Sequence, residues 1–170
     1  GQKNVKKKLN FYLKAFEKTG LCPFFGFFGA KGLGKTEFAN AFARQLKNAD
    51  GSRRTLLEIN SSTIKNNDDF FDQIFIPLIL DNEITILFDE AHELPKDLTM
   101  ALLTILDTTS SHIREFTWGE TRFPFNFKHQ TFMFATTESN KLFPPLKDRL
   151  TAIDFDPYSK KELGEILERA

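Results

Sequence analysis

The chain has 170 residues, one domain of ordinary size with no room for a second full one. Its 23 Lys and Arg cancel 23 Asp and Glu, so the total advertises neither a polyanion partner nor an acidic, disordered chain. One cysteine, Cys22, excludes an internal disulfide and a cysteine-built zinc cluster, and no run reaches the roughly 18 apolar residues of a membrane helix.

Val5, Leu9, Tyr12, Leu13 and Phe16 recur at three- and four-residue steps, so the chain opens in an amphipathic helix rather than a signal peptide. Six lysines (Lys3, Lys6, Lys7, Lys8, Lys14, Lys18) stand there against one acid, Glu17, and read as a solvated face. Residues 23–28 are a short apolar run ending in a glycine loop. A helix is expected over 35–47, with Phe38, Ala41, Phe42 and Leu46 on one face. Residues 55–59 read as a strand, and 68–80 as a helix that Pro77 should break or kink. Residues 66–93 hold eight acids and no Lys or Arg. Ile84 to Phe88 is a β-branched strand, and Pro95 opens a helix over 96–106. Residues 131–135 and 152–155 are two more strands, and a last helix runs from Ser159 to about Arg169. Five buried strands separated by helices predict an α/β fold, a parallel sheet with helices on both faces. Both ends fall inside helical patterns, so a longer parent chain is expected. The lone thiol reads as a small buried group and suits a reducing, cytoplasmic setting.

The sharpest signal is Gly29-Ala30-Lys31-Gly32-Leu33-Gly34-Lys35-Thr36, which satisfies G-x-x-x-x-G-K-[ST] between a strand and a helix. Glycines let successive N–H groups turn inward around a phosphate, and the following helix adds its positive end. Gly29, Gly32, Leu33, Gly34, Lys35, Thr36 and Glu37 are the expected nucleotide-binding positions. Lys35 would reach the β- and γ-phosphates, and the Thr36 hydroxyl would ligate Mg²⁺. Lys31 is read as pointing to solvent. The strand 84–88 ends in Asp89 and Glu90: Asp89 is expected on Mg²⁺ with Thr36, and Glu90 as the base that polarises water. His92, next but one, is expected to pack or hydrogen-bond locally. Asp-Glu-Ala-His does not signify a DEAH-box helicase, because 170 residues cannot hold two RecA-like domains.

With Gly1-Gln2, Phe134-Ala135-Thr136-Thr137 and Pro145-Leu146-Lys147-Asp148-Arg149-Leu150, these motifs make the chain resemble an AAA+ ATPase of the RuvB branch, the Holliday-junction branch-migration family. The resemblance runs the length of the chain. It implies the P-loop three-layer fold, with a five-stranded parallel sheet in the order 5-1-4-3-2. It also implies that residues 1–156 are the large α/β subdomain and 157–170 the start of a truncated helical lid. ATP and Mg²⁺ would be bound, and Thr137 would be the polar sensor at the end of the fourth strand. Arg149 would be the finger that reaches a neighbouring subunit's γ-phosphate in a ring, expected to be a hexamer. Tyr158 would stand at the edge of the adenine pocket. Departures are Ala30-Lys31, where the family usually has prolines, and Glu93 and Glu138, where RuvB sequences tend to carry basic residues.

Residues 110–128 read as a β-hairpin insert, with arms 113–117 and 122–127 and Trp118-Gly119-Glu120 at the turn. Phe123, Phe125 and Phe127 alternate, so one face is aromatic. That face either meets a partner, as the RuvB hairpin meets RuvA, or folds back as core. Trp118, at the expected tip, is the better binding candidate. The function implied by the resemblance is an ATP-driven motor on DNA. The alternatives are a clamp-loader, helicase-loader or protein-remodelling ATPase, and a nucleotide-binding scaffold without turnover. The stretch 61–67 lacks the aromatic residue of an unfoldase pore loop, although Phe70 and Phe71 follow closely.

Overall fold

The computed structural model of the protein describes residues 1–107 and 111–169. Ser110, the expected start of the insert, and Ala170 lie outside the described residues.

The first helix, α1 (Lys3–Thr19), buries Val5, Leu9 and Phe16, and holds Tyr12 and Leu13 half-buried. β1 (Phe25–Phe28) feeds α2 (Lys35–Ala43), which stops short of residue 47. Its inward residues are Ala39, Phe42 and Ala43, while Ala41 faces solvent. Leu46 still enters the core, because a tight turn (Leu46 N–H to Ala43 O, 3.1 Å) carries the chain inward after the helix ends. β2 (Thr55–Asn60) precedes α3 (Asn67–Phe70), a single turn that continues into a π-wound segment, Phe71–Ile79. Pro77 lies within that segment and does not break it. A proline lacks the N–H that an α-turn uses, and the wider winding accommodates its ring. Leu80 N–H then bonds back five residues to Phe75 O at 2.8 Å. β3 (Ile84–Asp89), α4 (Lys96–Ile105), β4 (Ile113–Trp118), β5 (Thr121–Asn126), β6 (Gln130–Thr136), α5 (Pro144–Asp148), β7 (Thr151–Asp154) and α6 (Lys160–Arg169) follow.

Five strands form one parallel sheet in the order β2-β3-β6-β1-β7. With the hairpin strands left out of the count, this is the expected order 5-1-4-3-2 read from the other edge. Side chains alternate across the sheet with the strand period. Phe25, Phe27, Leu87, Met133, Ala135 and Ile153 face α1 and α2. Ile84, Ile86, Phe88, Phe132 and Phe134 face α4 and the π-wound segment. Parallel strands covered on both faces are expected to be apolar throughout, and β1 and β6 are buried at every position.

β4 and β5 pair antiparallel as a separate hairpin. Its aromatic face is core: Phe123, Phe125 and Phe127 are buried. Phe75 meets Phe125 at 4.7 Å between ring centroids, and Phe71 stacks on Phe116 at 5.4 Å. Trp118 does not project as a binding tip. It is half-buried and stacks on Phe71 at 5.2 Å, and its indole N–H donates to Asp68 Oδ1 at 3.1 Å. The hairpin aromatics are therefore not a surface on offer to a partner. The π-wound segment opposite carries Phe71 and Phe75, and removing these rings together from water stabilises both elements.

Candidate functional site

The parallel strands all point their C-terminal ends at one edge of the sheet, and open α/β sheets place ligand sites there. At that edge a cavity of about 380 Å³ is lined by Lys31, Gly32, Gly34, Lys35, Thr36, Glu37, Asp89, Glu90 and Thr137. The fold thus gathers the loop after β1, the acids after β3 and the hydroxyl after β6. Lys31 lies on the exposed rim of this cavity rather than apart from it.

The local chain shape explains the loop. Gly34 caps α2 with φ of 88°, a left-handed conformation that a side chain would strain. At Gly29 a Cβ would sit 2.8 Å from Phe155 Cβ and 3.0 Å from its carbonyl oxygen, so the loop can enter only without one. α2 starts directly after the loop and aims its unpaired N–H groups and positive end at the cavity.

Lys35 is buried, and its Nζ donates to Ala30 O at 2.7 Å. Burial pushes its amine below the usual lysine range, against the pull of the Glu90 and Asp89 carboxylates. Asp89 ends β3, and its Oδ1 accepts the Glu90 N–H at 2.9 Å. Glu90 has φ of 51° and ψ of 51°, a left-handed backbone uncommon for a glutamate. Such strain collects at functional sites, where the surroundings fix the residue. The Thr137 hydroxyl donates to Glu90 Oε2 at 3.1 Å, which ties the end of β6 to the second acid.

Not every expected residue reaches the cavity. Leu33 is buried, and its carbonyl accepts the Tyr158 hydroxyl at 3.0 Å. Tyr158 therefore braces the loop from behind, where it also meets Gly1. Gln2 Nε2 donates to Asp156 O at 2.8 Å, joining the start of α1 to the segment after β7. Arg149 is elsewhere. It precedes β7, at the opposite end of the strands, and its Nη1 donates to Pro145 O at 2.9 Å. It lines a larger cavity of about 500 Å³ with Phe11, Leu21, Phe24 and Phe127, which contains neither the glycine loop nor the paired acids. A four-residue β1 alone separates the two ends by roughly 13 Å, at ~3.3 Å per residue. Arg149 thus cannot serve its own chain's cavity.

A cluster that the motifs did not announce adjoins Glu90. His92 Nδ1 lies 2.7 Å from Thr136 Oγ1 and 3.3 Å from Glu90 Oε2, and Nε2 lies 2.9 Å from Glu138 Oε2. Lys141 Nζ pairs with Glu138 Oε1 at 2.8 Å and holds that carboxyl below its usual range. His92 fits the expectation of a local hydrogen-bonding residue, but the extent of the cluster depends on residues more than 40 positions apart.

The pattern of the AAA family, the ATPase family associated with various cellular activities, matches residues 25–157. The chain belongs to the AAA family. Membership implies nucleotide binding. Within AAA proteins, the chain is 30% identical over 173 aligned residues to the Holliday junction branch migration complex subunit RuvB of Thermotoga petrophila. The RuvB of Thermotoga maritima is equally similar, at 30%. The chain spans about half the length of these relatives, 49%. Its fold superimposes on the Thermotoga maritima RuvB Holliday junction branch migration motor with a TM-score of 0.75 and 27% identity, covering 99% of this chain and 50% of that one. A mutant form of the same protein gives 0.77. No helix among the described residues is long and apolar enough to cross a membrane.

Proposed function

We propose that the chain is the nucleotide-binding part of a RuvB-like AAA+ ring motor that hydrolyses ATP and acts on DNA in the cytoplasm. In this reading residues 1–156 form the large α/β subdomain, and α6 begins a helical lid. The observation that carries it is the convergence of Lys35, Thr36, Asp89, Glu90 and Thr137 on one cavity at the C-terminal edge of the sheet. Lys35 and the loop N–H groups would bind the β- and γ-phosphates, and Glu90 would accept a proton from the attacking water while Thr137 orients both. The donor set fits Mg²⁺: a hydroxyl on Thr36 and a carboxylate on Asp89 are hard oxygen ligands. Among the described residues there is no group of three or more His, Cys, Asp or Glu that could cage a metal. Mg²⁺ is the cation that shares its shell with substrate phosphates and water, and it would neutralise charge on the phosphates.

Phosphate release from ATP with Mg²⁺, measured with and without branched DNA, tests this reading. Glu90→Gln should keep ATP binding and lose about 10²- to 10⁴-fold in turnover. Unchanged turnover in that variant would sink the assignment. The placement of Arg149 away from its own cavity supports a role in trans in a ring, expected to be a hexamer. Arg149→Ala subunits mixed with unaltered ones should then depress activity below the weighted average, and a simple average would remove the trans role. Stimulation by protein rather than DNA would favour the remodelling alternative, and binding without turnover the scaffold. A protein partner at the hairpin would have to use its outer face, which carries Ile113, Glu115 and Thr117, since the aromatic one is core.

The charge distribution of α1 supports a polyanionic substrate. Lys3, Lys7, Lys14 and Lys18 are spaced four, seven and four residues apart and fall on one line of the helix, opposite Val5, Leu9 and Phe16. At ~1.5 Å per residue the line is about 22 Å long. All four are exposed, and among the described residues none is in an ion pair. No acid stands in the first turn, where one would favour the helix, and Lys3 there opposes its dipole, whereas Lys18 in the last turn complements it. Replacing the four by glutamine should lower the slope of log affinity against log salt by about 3 to 4, at ~0.9 per phosphate contact.

A further inference from the structure

A general base must hold one carboxylate oxygen toward water while the rest of the group stays fixed. Glu90 has a side chain that is 37% exposed, so burial does not hold it. The His92 side chain beside it is only 7% exposed. Its Nε2 lies 2.9 Å from Glu138 Oε2. Its Nδ1 is hydrogen-bonded with the Thr136 hydroxyl at 2.7 Å, and that hydroxyl oxygen accepts the Glu138 N–H at 3.0 Å. The ring cannot swing without breaking bonds on both of its nitrogens. Glu90 Oε2 lies against this fixed edge at 3.3 Å and accepts from the Thr137 hydroxyl at 3.1 Å. The ring edge and the hydroxyl bracket one oxygen and leave the other to accept from water.

We propose that His92 is the positioning residue for Glu90 in ATP hydrolysis, and that Glu138 is the anchor through which it acts. This rests on the hydrolytic reading given above. His92 touches neither phosphate nor the attacking water; it fixes the direction of the base. Glu138 leads into the turn Ser139–Lys141, and that turn leads to α5 and Arg149.

The test is steady-state ATP hydrolysis, with binding of a fluorescent ATP analogue measured in parallel. His92→Ala should lower kcat by about 10- to 100-fold, the penalty of a misplaced reacting group, with KM and analogue affinity within about twofold. His92→Asn, whose amide offers a polar atom near the inner ring nitrogen, should recover part of the loss. Glu138→Gln should lower kcat several-fold with analogue affinity within about twofold. In a Glu90→Gln background, His92→Ala should leave residual turnover unchanged, because the residue it orients is gone. An equal loss in that background, or full kcat in His92→Ala, overturns the proposal while the ATPase reading stands. If His92→Ala does not fold, His92→Asn and Glu138→Gln decide the matter, and full kcat in both overturns it. If the unaltered protein binds the analogue and never hydrolyses ATP, the hydrolytic reading falls and this proposal falls with it.

Discussion

The glycine loop and the β4–β5 hairpin carry equally conspicuous sequence patterns, one of small residues and one of rings, yet they are used in opposite ways. The loop leaves most of its residues at an open cavity and holds them by backbone geometry. The hairpin turns its rings inward and is held by packing, with Phe125 fully buried against Phe75 and Phe132. A glycine loop has little apolar surface to bury, so its pattern points to a ligand. An alternating row of phenylalanines removes apolar area from water wherever an apolar partner is in reach, and here the π-wound segment is that partner.

The comparison makes crossed predictions: loop changes should remove function and spare the fold, and hairpin changes should do the reverse. The largest effect is expected at Phe125. Phe125→Ala should destabilise the protein by ~3–5 kcal/mol in denaturant unfolding, with nucleotide affinity per folded molecule unchanged. A loss below ~1 kcal/mol would mean that the hairpin is not core. Lys35→Met is the converse. It should weaken ATP binding by about 10- to 100-fold, equivalent to ~1.5–3 kcal/mol. It should also melt no lower than the unaltered protein at neutral pH. The folded-state pKa of Lys35 lies below its ordinary value of 10.5, so its charged form is a burden on the folded state. That burden is present at neutral pH and disappears as pH rises through 10.5, where the two melting temperatures should converge. A large drop in melting temperature at neutral pH would show that the loop lysine is structural. The smallest effect belongs to the hairpin tip. Trp118→Phe keeps the stack on Phe71 and loses the bond to Asp68, so unfolding should shift by ~0.5–1 kcal/mol. A null result there with a large one at Phe125 would sharpen the contrast between tip and arm.

Pattern reading recovered the strands best. The sheet strands were legible because strands covered on both faces are rich in apolar residues, as β1 is throughout and β6 is from Phe132 to Ala135. Boundaries were less legible. The helix expected to reach residue 47 ends at Ala43, since a tight turn can deliver Leu46 to the core as well as a helix can. Pro77 is expected to break or kink its helix, because propensity counts the missing N–H; the chain continues through it in a wider winding. Arg54 had no signal at all. Its buried guanidinium donates to Thr131 Oγ1 at 2.8 Å and to Lys128 O at 2.7 Å, acceptors more than 70 residues away.

By itself, the sequence determined the fold class, the parallel sheet and the residue types at the phosphate loop and acidic strand end. Those features follow from local rules: side-chain period, glycine φ and the spacing of a loop to its helix. The tertiary structure alone decided which face the hairpin phenylalanines occupy and that Arg149 lies at the other end of the strands from its own cavity. It also set His92 between Glu90 and Glu138. Each depends on elements distant in the chain meeting in space, and such contacts are fixed by packing of the whole domain rather than by any local run of residues.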